Sequence, residues 1–134
     1  MSSSRGRQPG RLGFQYVVLR CVPRVDREEF LNVGVVLYCQ QADVLAARGH
    51  VDEGRLAALA PNLDVNAVRS ALRTVAAICR GDASAGEAGR APMGVRFGFL
   101  KAPRSTVVQP GPVHGGTTDD PVAELEHLLD SLVR

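Results

Sequence analysis

Apolar residues recur along this chain with two different periods. Residues 15–22 alternate, placing Tyr16, Val18 and Arg20 on one face and Val17, Leu19 and Cys21 on the other, which predicts a strand ended by Pro23. After a charged connection at 24–29, residues 30–39 are apolar at both parities, as in a central strand covered on two sides. A turn at 40–43 leads to a third strand at 44–51, where Ala46, Ala47 and Gly49 dilute the β signal. These three segments predict an antiparallel meander. The period then becomes helical. Asp52 or Glu53 opens a short helix that reaches Ala60 and is halted by Pro61. Asp64 caps a longer helix over 65–80, whose Val65, Val68, Leu72, Val75, Ile78 and Cys79 form one stripe before the left-handed stop at Gly81.

Residues 81–92 show no periodicity and read as a surface loop. Met93, Val95, Phe97 and Phe99 alternate with Gly94, Arg96 and Gly98, which is strand spacing, and a further short strand is expected through 106–109. Asp120 as cap and Pro121 at the first helical position begin a last helix with Val122, Leu125, Leu128, Leu129 and Leu132 along one side. That face either closes the domain or docks a partner. Residues 1–13, rich in Ser, Arg and Gly, read as a flexible basic tail, leaving one domain over 14–134. The expected fold is α+β: an antiparallel sheet of four to five strands with three helices packed on it.

Length changes this picture little, since 134 residues and 14.3 kDa suit a single core. No apolar run approaches the roughly 18 residues that span a bilayer, and no signal cleavage site follows the basic start, so a cytoplasmic location and no membrane partner are expected. A net charge of +2 does not suggest nucleic acid, whose binding needs a clustered basic face. RNA stacking on Tyr16 and Tyr38 is a weaker reading, because the few aromatic residues are needed in the core. Cys21, Cys39 and Cys79 have no Cys-x-x-Cys spacing and are expected to be buried thiols. His50, His114 and His127 stand isolated, so no metal or cofactor is expected.

Candidate chemistry sits in three places. Arg104, Ser105 and Thr106 join a guanidinium fork to two hydroxyls, which suits a phosphate or a carboxylate. The plainer reading has the hydroxyls bonding the backbone at a strand entrance and Arg104 paired with Glu28, Glu29 or Asp119. His114, beside Gly115 and Gly116, can serve as a general base or a ligand contact, with Ser105 or Thr106 as nucleophile and Asp119 or Asp120 to orient it. Against catalysis, no Gly-x-Ser-x-Gly elbow is present, and Asp120 is better used as a helix cap. Arg20 and Asn32 interrupt apolar strands; burying either without partners costs about 1–3 kcal/mol, so both need a carboxylate, a carbonyl or a ligand. They belong either to a shared polar site or to simple ends, with Arg20 in solvent, Asn32 bonding the incoming loop and Gly34 marking a bulge.

The strings Tyr16-Val17-Val18-Leu19-Arg20-Cys21-Val22-Pro23, Phe30-Leu31-Asn32-Val33-Gly34-Val35-Val36-Leu37 and Ala102-Pro103-Arg104-Ser105-Thr106-Val107-Val108-Gln109 resemble the bacterial domain-of-unknown-function family 3037. The resemblance extends to Arg27 and to the helix start at Asp119-Asp120-Pro121. The family pattern differs at Glu28, where it has Gly, and at Gly111, where it has Ser. It implies no reaction. It does imply an accessory role, since family genes often stand beside those of HipA-like kinases. The function expected is a small non-catalytic binding or regulatory module, with Arg20, Asn32, Arg104, Ser105, Thr106 and His114 meeting an anionic small molecule or a protein partner such as that kinase. The alternative is an enzyme acting on a phosphorylated or nucleotide-like small molecule, using His114, Ser105 and Thr106.

Overall fold

The computed structural model describes residues 12–24, 29–104 and 106–134. Its core is a five-stranded antiparallel sheet: β1 (Leu12–Arg24), β2 (Glu29–Cys39), β3 (Val44–Gly49), β4 (Val108–Pro110) and β5 (His114–Thr118). The order is β3-β2-β1-β4, and β5 pairs with the other half of the same β1 edge. The expected meander is therefore present, with Gln40 to Asp43 as its second turn. Pro23 does not end the first strand, which runs on to Arg24; a proline is tolerated where pairing is already irregular, as it is between Cys21 and Arg24. Of the expected tail, residues 1–11 lie outside the described part, while Leu12 and Gly13 already pair with Thr118 and Thr117.

Helices cover both faces. On one side α1 (Glu53–Leu59), α2 (Val65–Arg80) and α4 (Met93–Lys101) bury Leu56, Val68, Ile78, Phe97 and Leu100 against Val17, Leu19, Val33 and Val36. On the other, α5 (Pro121–Leu132) buries Leu125, Leu128 and Leu129 against Phe14, Val35, Leu37 and Cys39. The middle of the last helix's apolar face thus closes its own domain, while Val122 and Leu132 towards its ends stand exposed. β2 sends side chains into both clusters, which is why its sequence is apolar at both parities. The caps lie where the sequence places them: Asp64 accepts from the Asn66 and Ala67 amides, Gly81 takes the left-handed conformation at φ 70°, and Asp120 accepts from the Ala123 amide.

Three expectations are corrected. The alternating run from Met93 is a helix, α4, in which Phe97 and Leu100 face the core while Val95 and Phe99 stand exposed. The steps from Met93 to Phe97 and Leu100 are helical, and Arg96 fixes the element by donating to the carbonyls of Ala91, Ile78 and Cys79. The expected loop at 81–92 contains a 3₁₀ turn at Ala83–Ala85 and a short helix α3 (Glu87–Arg90) that packs Ala85 and Ala88 on the core. Among the described residues the helices number five besides that turn, against three expected. The strand β5 (His114–Thr118) is an addition that the pattern of side chains does not predict.

All three cysteines are free and buried. Burial pushes the Cys79 thiol up to about 12, with Arg96 and Arg80 partly opposing the shift. The folded value lies above the unfolded one, so the neutral thiol stabilises the fold fully below about pH 9 and that contribution is lost as pH rises towards 12. We expect stability to fall by up to about 1.4 kcal/mol per pH unit in that window through this group. Urea titrations across that range check it: Cys79→Ala should show a shallower decline, and an equal slope in both proteins would refute the assignment.

Candidate functional site

Pairing of β1 with β2 slips at the centre of the sheet: Leu19 faces Gly34, but the next residue, Arg20, faces Asn32. Val33 is the extra residue of a bulge, which places Val33 and Val36 in the same core cluster despite their spacing. Gly34 permits it, for a Cβ there would lie 2.9 Å from the Arg48 carbonyl oxygen. The slip brings Arg20 and Asn32 side by side on the face that carries α5. α5 packs chiefly across β2 and β3, so among the described residues it covers less of the half of this face formed by β1, β4 and β5, although Phe14 of β1 is buried beneath it.

Both polar residues are incompletely matched. Asn32 Nδ2 donates to the Leu132 carbonyl at the end of α5 over 2.9 Å, while its Oδ1 is buried and accepts from none of the described residues. The Arg20 guanidinium lies 4.3 Å from the centre of the Phe30 ring, and Gly111 approaches so closely that a Cβ would sit 3.0 Å from Cζ. Its Nε is buried without an acceptor, and among the described residues no carboxylate or carbonyl serves this side chain. A buried, unmatched donor or acceptor costs about 1–3 kcal/mol, an expense that a ligand bringing the missing partners removes. Phe30 is 46% exposed and forms the outer wall.

The remaining candidates are spread along the sheet edge. Arg104 Nη2 donates to the Phe99 carbonyl over 2.6 Å and its guanidinium stacks 4.9 Å from that ring, so it closes the end of α4; of its expected carboxylate partners Glu28 lies outside the described residues. Thr106 donates its hydroxyl to the Val108 carbonyl over 2.8 Å, and Gln109 Nε2 donates back to the Thr106 carbonyl. Ser105 lies outside the described residues. His114 is exposed and pairs across the strands with Tyr16, their ring centres 5.2 Å apart. It shares the face of Arg20, but Tyr16 and Arg20 are four strand positions apart, about 13 Å. No carboxylate bonds His114 among the described residues, and Asp120 is committed to its helix cap. Tyr38 points the other way, into the core against Phe97. The structure thus unites Arg20 with Asn32, sets His114 further along the same shelf, and gives Arg104 and Thr106 to local backbone.

Sequence reasoning missed Phe30 as the partner of Arg20. The signal was faint: an aromatic at the start of a core strand whose next same-face residue is Asn32. A cavity of about 560 Å³ opens elsewhere, between the ends of β1 and β2 and the turn after α1, against Pro23, Glu29, Leu59 and Asn62. None of the five described candidate residues lines it. Among the described residues no group of three or more His, Cys, Asp or Glu side chains gathers to hold a metal.

Residues 16–133 match the family model of DUF3037, proteins of unknown function. The chain belongs to this family. No curated protein and no solved structure matches it. The DUF3037 region runs from the ring partner of His114 to Val133, one residue beyond the carbonyl that Asn32 engages, and so takes in the bulge, the open shelf and all six candidate residues. Membership in DUF3037 names no reaction.

Proposed function

We propose that this domain is a small cytoplasmic binding module that receives an acidic group of a partner protein on the Arg20 shelf, in a role accessory to another enzyme such as a HipA-like kinase. The observation that carries this reading is the pair of buried, unmatched atoms, Arg20 Nε and Asn32 Oδ1, brought together by a bulge on a face that α5 covers chiefly over β2 and β3. A carboxylate offers acceptors to the guanidinium, and a neighbouring amide N–H of the same partner loop offers a donor to Asn32. The absence of a helix long and apolar enough to cross a membrane, among the described residues, is compatible with the location. Binding is favoured over catalysis because, among the described residues, the groups a reaction would use do not converge: the Thr106 hydroxyl is spent on a carbonyl and no acid orients His114.

Arg20→Met keeps the apolar stem over Phe30 and deletes the charge. In tagged protein recovered from its own host, we expect the native chain to retain a partner in stoichiometric amount. The variant should lose it with at least a 30-fold drop in affinity, as when one side of a buried interfacial charge pair is removed. Equal recovery by Arg20→Met, with the fold intact by circular dichroism, would overturn the reading.

A further inference from the structure

The two edges of the sheet are treated differently. On the β3 edge, α2 and α5 both pack against the strand, and Arg48 is tied to Glu126 of α5 over 2.9 Å. On the opposite edge, the β4 half is guarded by Pro110 and Pro112, neither of which has an N–H to offer. β5, His114–Thr118, has no such guard: its sequence is His-Gly-Gly-Thr-Thr, free of proline and of Lys, Arg, Asp and Glu, and its first four residues are exposed. One side of its backbone pairs with β1 from Leu12 to Tyr16. On the other side no strand among the described residues pairs with it, so every second residue has an N–H and a C=O directed away from the sheet, and only another extended main chain presents groups at matching intervals.

We propose that β5 is a strand-addition site for an extended segment of a different protein, one with bulky apolar or aromatic side chains at alternate positions. Its geometry selects that occupant over a second copy of this chain. Gly116 lies opposite Phe14, and the place its Cβ would fill is 3.0 Å from Phe14 Cζ, so the ring reaches over β5 towards the edge. A large side chain on an added strand, set beside Gly116 on this face, meets both the bare glycine backbone and the rim of the Phe14 ring. That ring belongs to the cluster beneath α5, so the contact extends an existing apolar core. Antiparallel self-pairing about Gly116 would instead set glycine against glycine at its centre, with nothing to pack and little to fix the register. Five residue pairs also bury far less than the roughly 1,200 Å² of a standard stable interface. On the opposite face Gly13, Gln15, Gly115 and Thr117 leave open, polar space, which the outward side chains of an added strand can enter.

This site uses residues other than Arg20 and Asn32 and is tested separately from them. The probe is a set of heptapeptides selected on the purified full-length chain from a random displayed library. We expect binders enriched in aromatic and β-branched residues at alternate positions, with exchange of the outward β5 amides slowed at least tenfold on binding. Single N-methylation along the best peptide should lower affinity at least tenfold at every second residue and less than threefold at the residues between, since only alternate amides enter a ladder. Binders that protect another surface, or an N-methyl series without the two-residue alternation, would overturn the proposal. So would a dimer of the chain alone whose β5 amides become protected with rising concentration, because it would assign the edge to a second copy. Failure here leaves the Arg20 reading standing, and loss of that reading leaves the alternation intact.

Discussion

Replacing Phe97 by Ala is expected to destabilise the domain by about 3–5 kcal/mol, the usual range for deleting a fully buried aromatic ring. Phe97 is 1% exposed, lies 5.1 Å from the Tyr38 ring, and belongs to the cluster between α2, α4 and the sheet. Against a total stability of roughly 5–15 kcal/mol for a domain, that loss is severe. Phe99→Ala, two residues away, should cost less than about 1 kcal/mol, for that ring is half exposed and contributes mainly its stacking with Arg104. The contrast is diagnostic. In a strand the two rings would share one face and respond alike, whereas in a helix they separate. Urea midpoints of the two variants measure it, and equal losses would contradict α4 as described.

Gly34→Ala is expected to cost about 1–3 kcal/mol, as overpacking against groups that cannot yield commonly does. The added methyl meets the Arg48 carbonyl at 2.9 Å and the Leu19 and Leu72 side chains at 3.3 and 3.4 Å, so the nearest obstacle is backbone in the middle of the sheet. Relief requires β2 to move away from β3 or the bulge to open, and either displaces Asn32 from the Leu132 carbonyl. The variant should therefore lose partner affinity as well as stability. Chemical denaturation gives the first effect and partner titration at a temperature where the variant remains folded gives the second. Native stability in Gly34→Ala would remove the close approach as the reason for glycine.

Which parts of this molecule were legible in its sequence follows from where the information resides. α2 and α5 were legible because single residues signal their ends, Asp64 and Gly81 for one, Asp120 and Pro121 for the other, and because each has one apolar stripe. β1 and β2 were legible by alternation and by continuous apolarity. α4 was not, because glycines and arginine between its apolar residues imitate a period of two, and the interactions that decide for helix come from Arg96 reaching carbonyls of α2, distant in sequence. β5 was invisible for a different reason: His114-Gly115-Gly116 pairs through its backbone and leaves almost no side-chain pattern. At the site, the polar interruptions Arg20 and Asn32 announced that something must satisfy them. Their direct pairing depends on the one-residue slip at Gly34, a register property that no local pattern encodes.

β1 pairs with β2 on one side and with both β4 and β5 on the other, so Leu12 at the start of the sheet waits for Thr118 near its end. The meander can form as soon as β3 has left the ribosome, but at about 5–20 residues per second the second edge of β1 then stays bare for roughly three to fifteen seconds. During that interval the nascent chain presents a long, apolar, unpaired strand, the very surface on which chains aggregate or chaperones settle. Pairing between residues so far apart also slows the final closure. Synthesis rate and chaperone supply should thus govern the yield of this protein more than its equilibrium stability does, and an internal deletion of β5 that keeps α5 should accumulate as insoluble material.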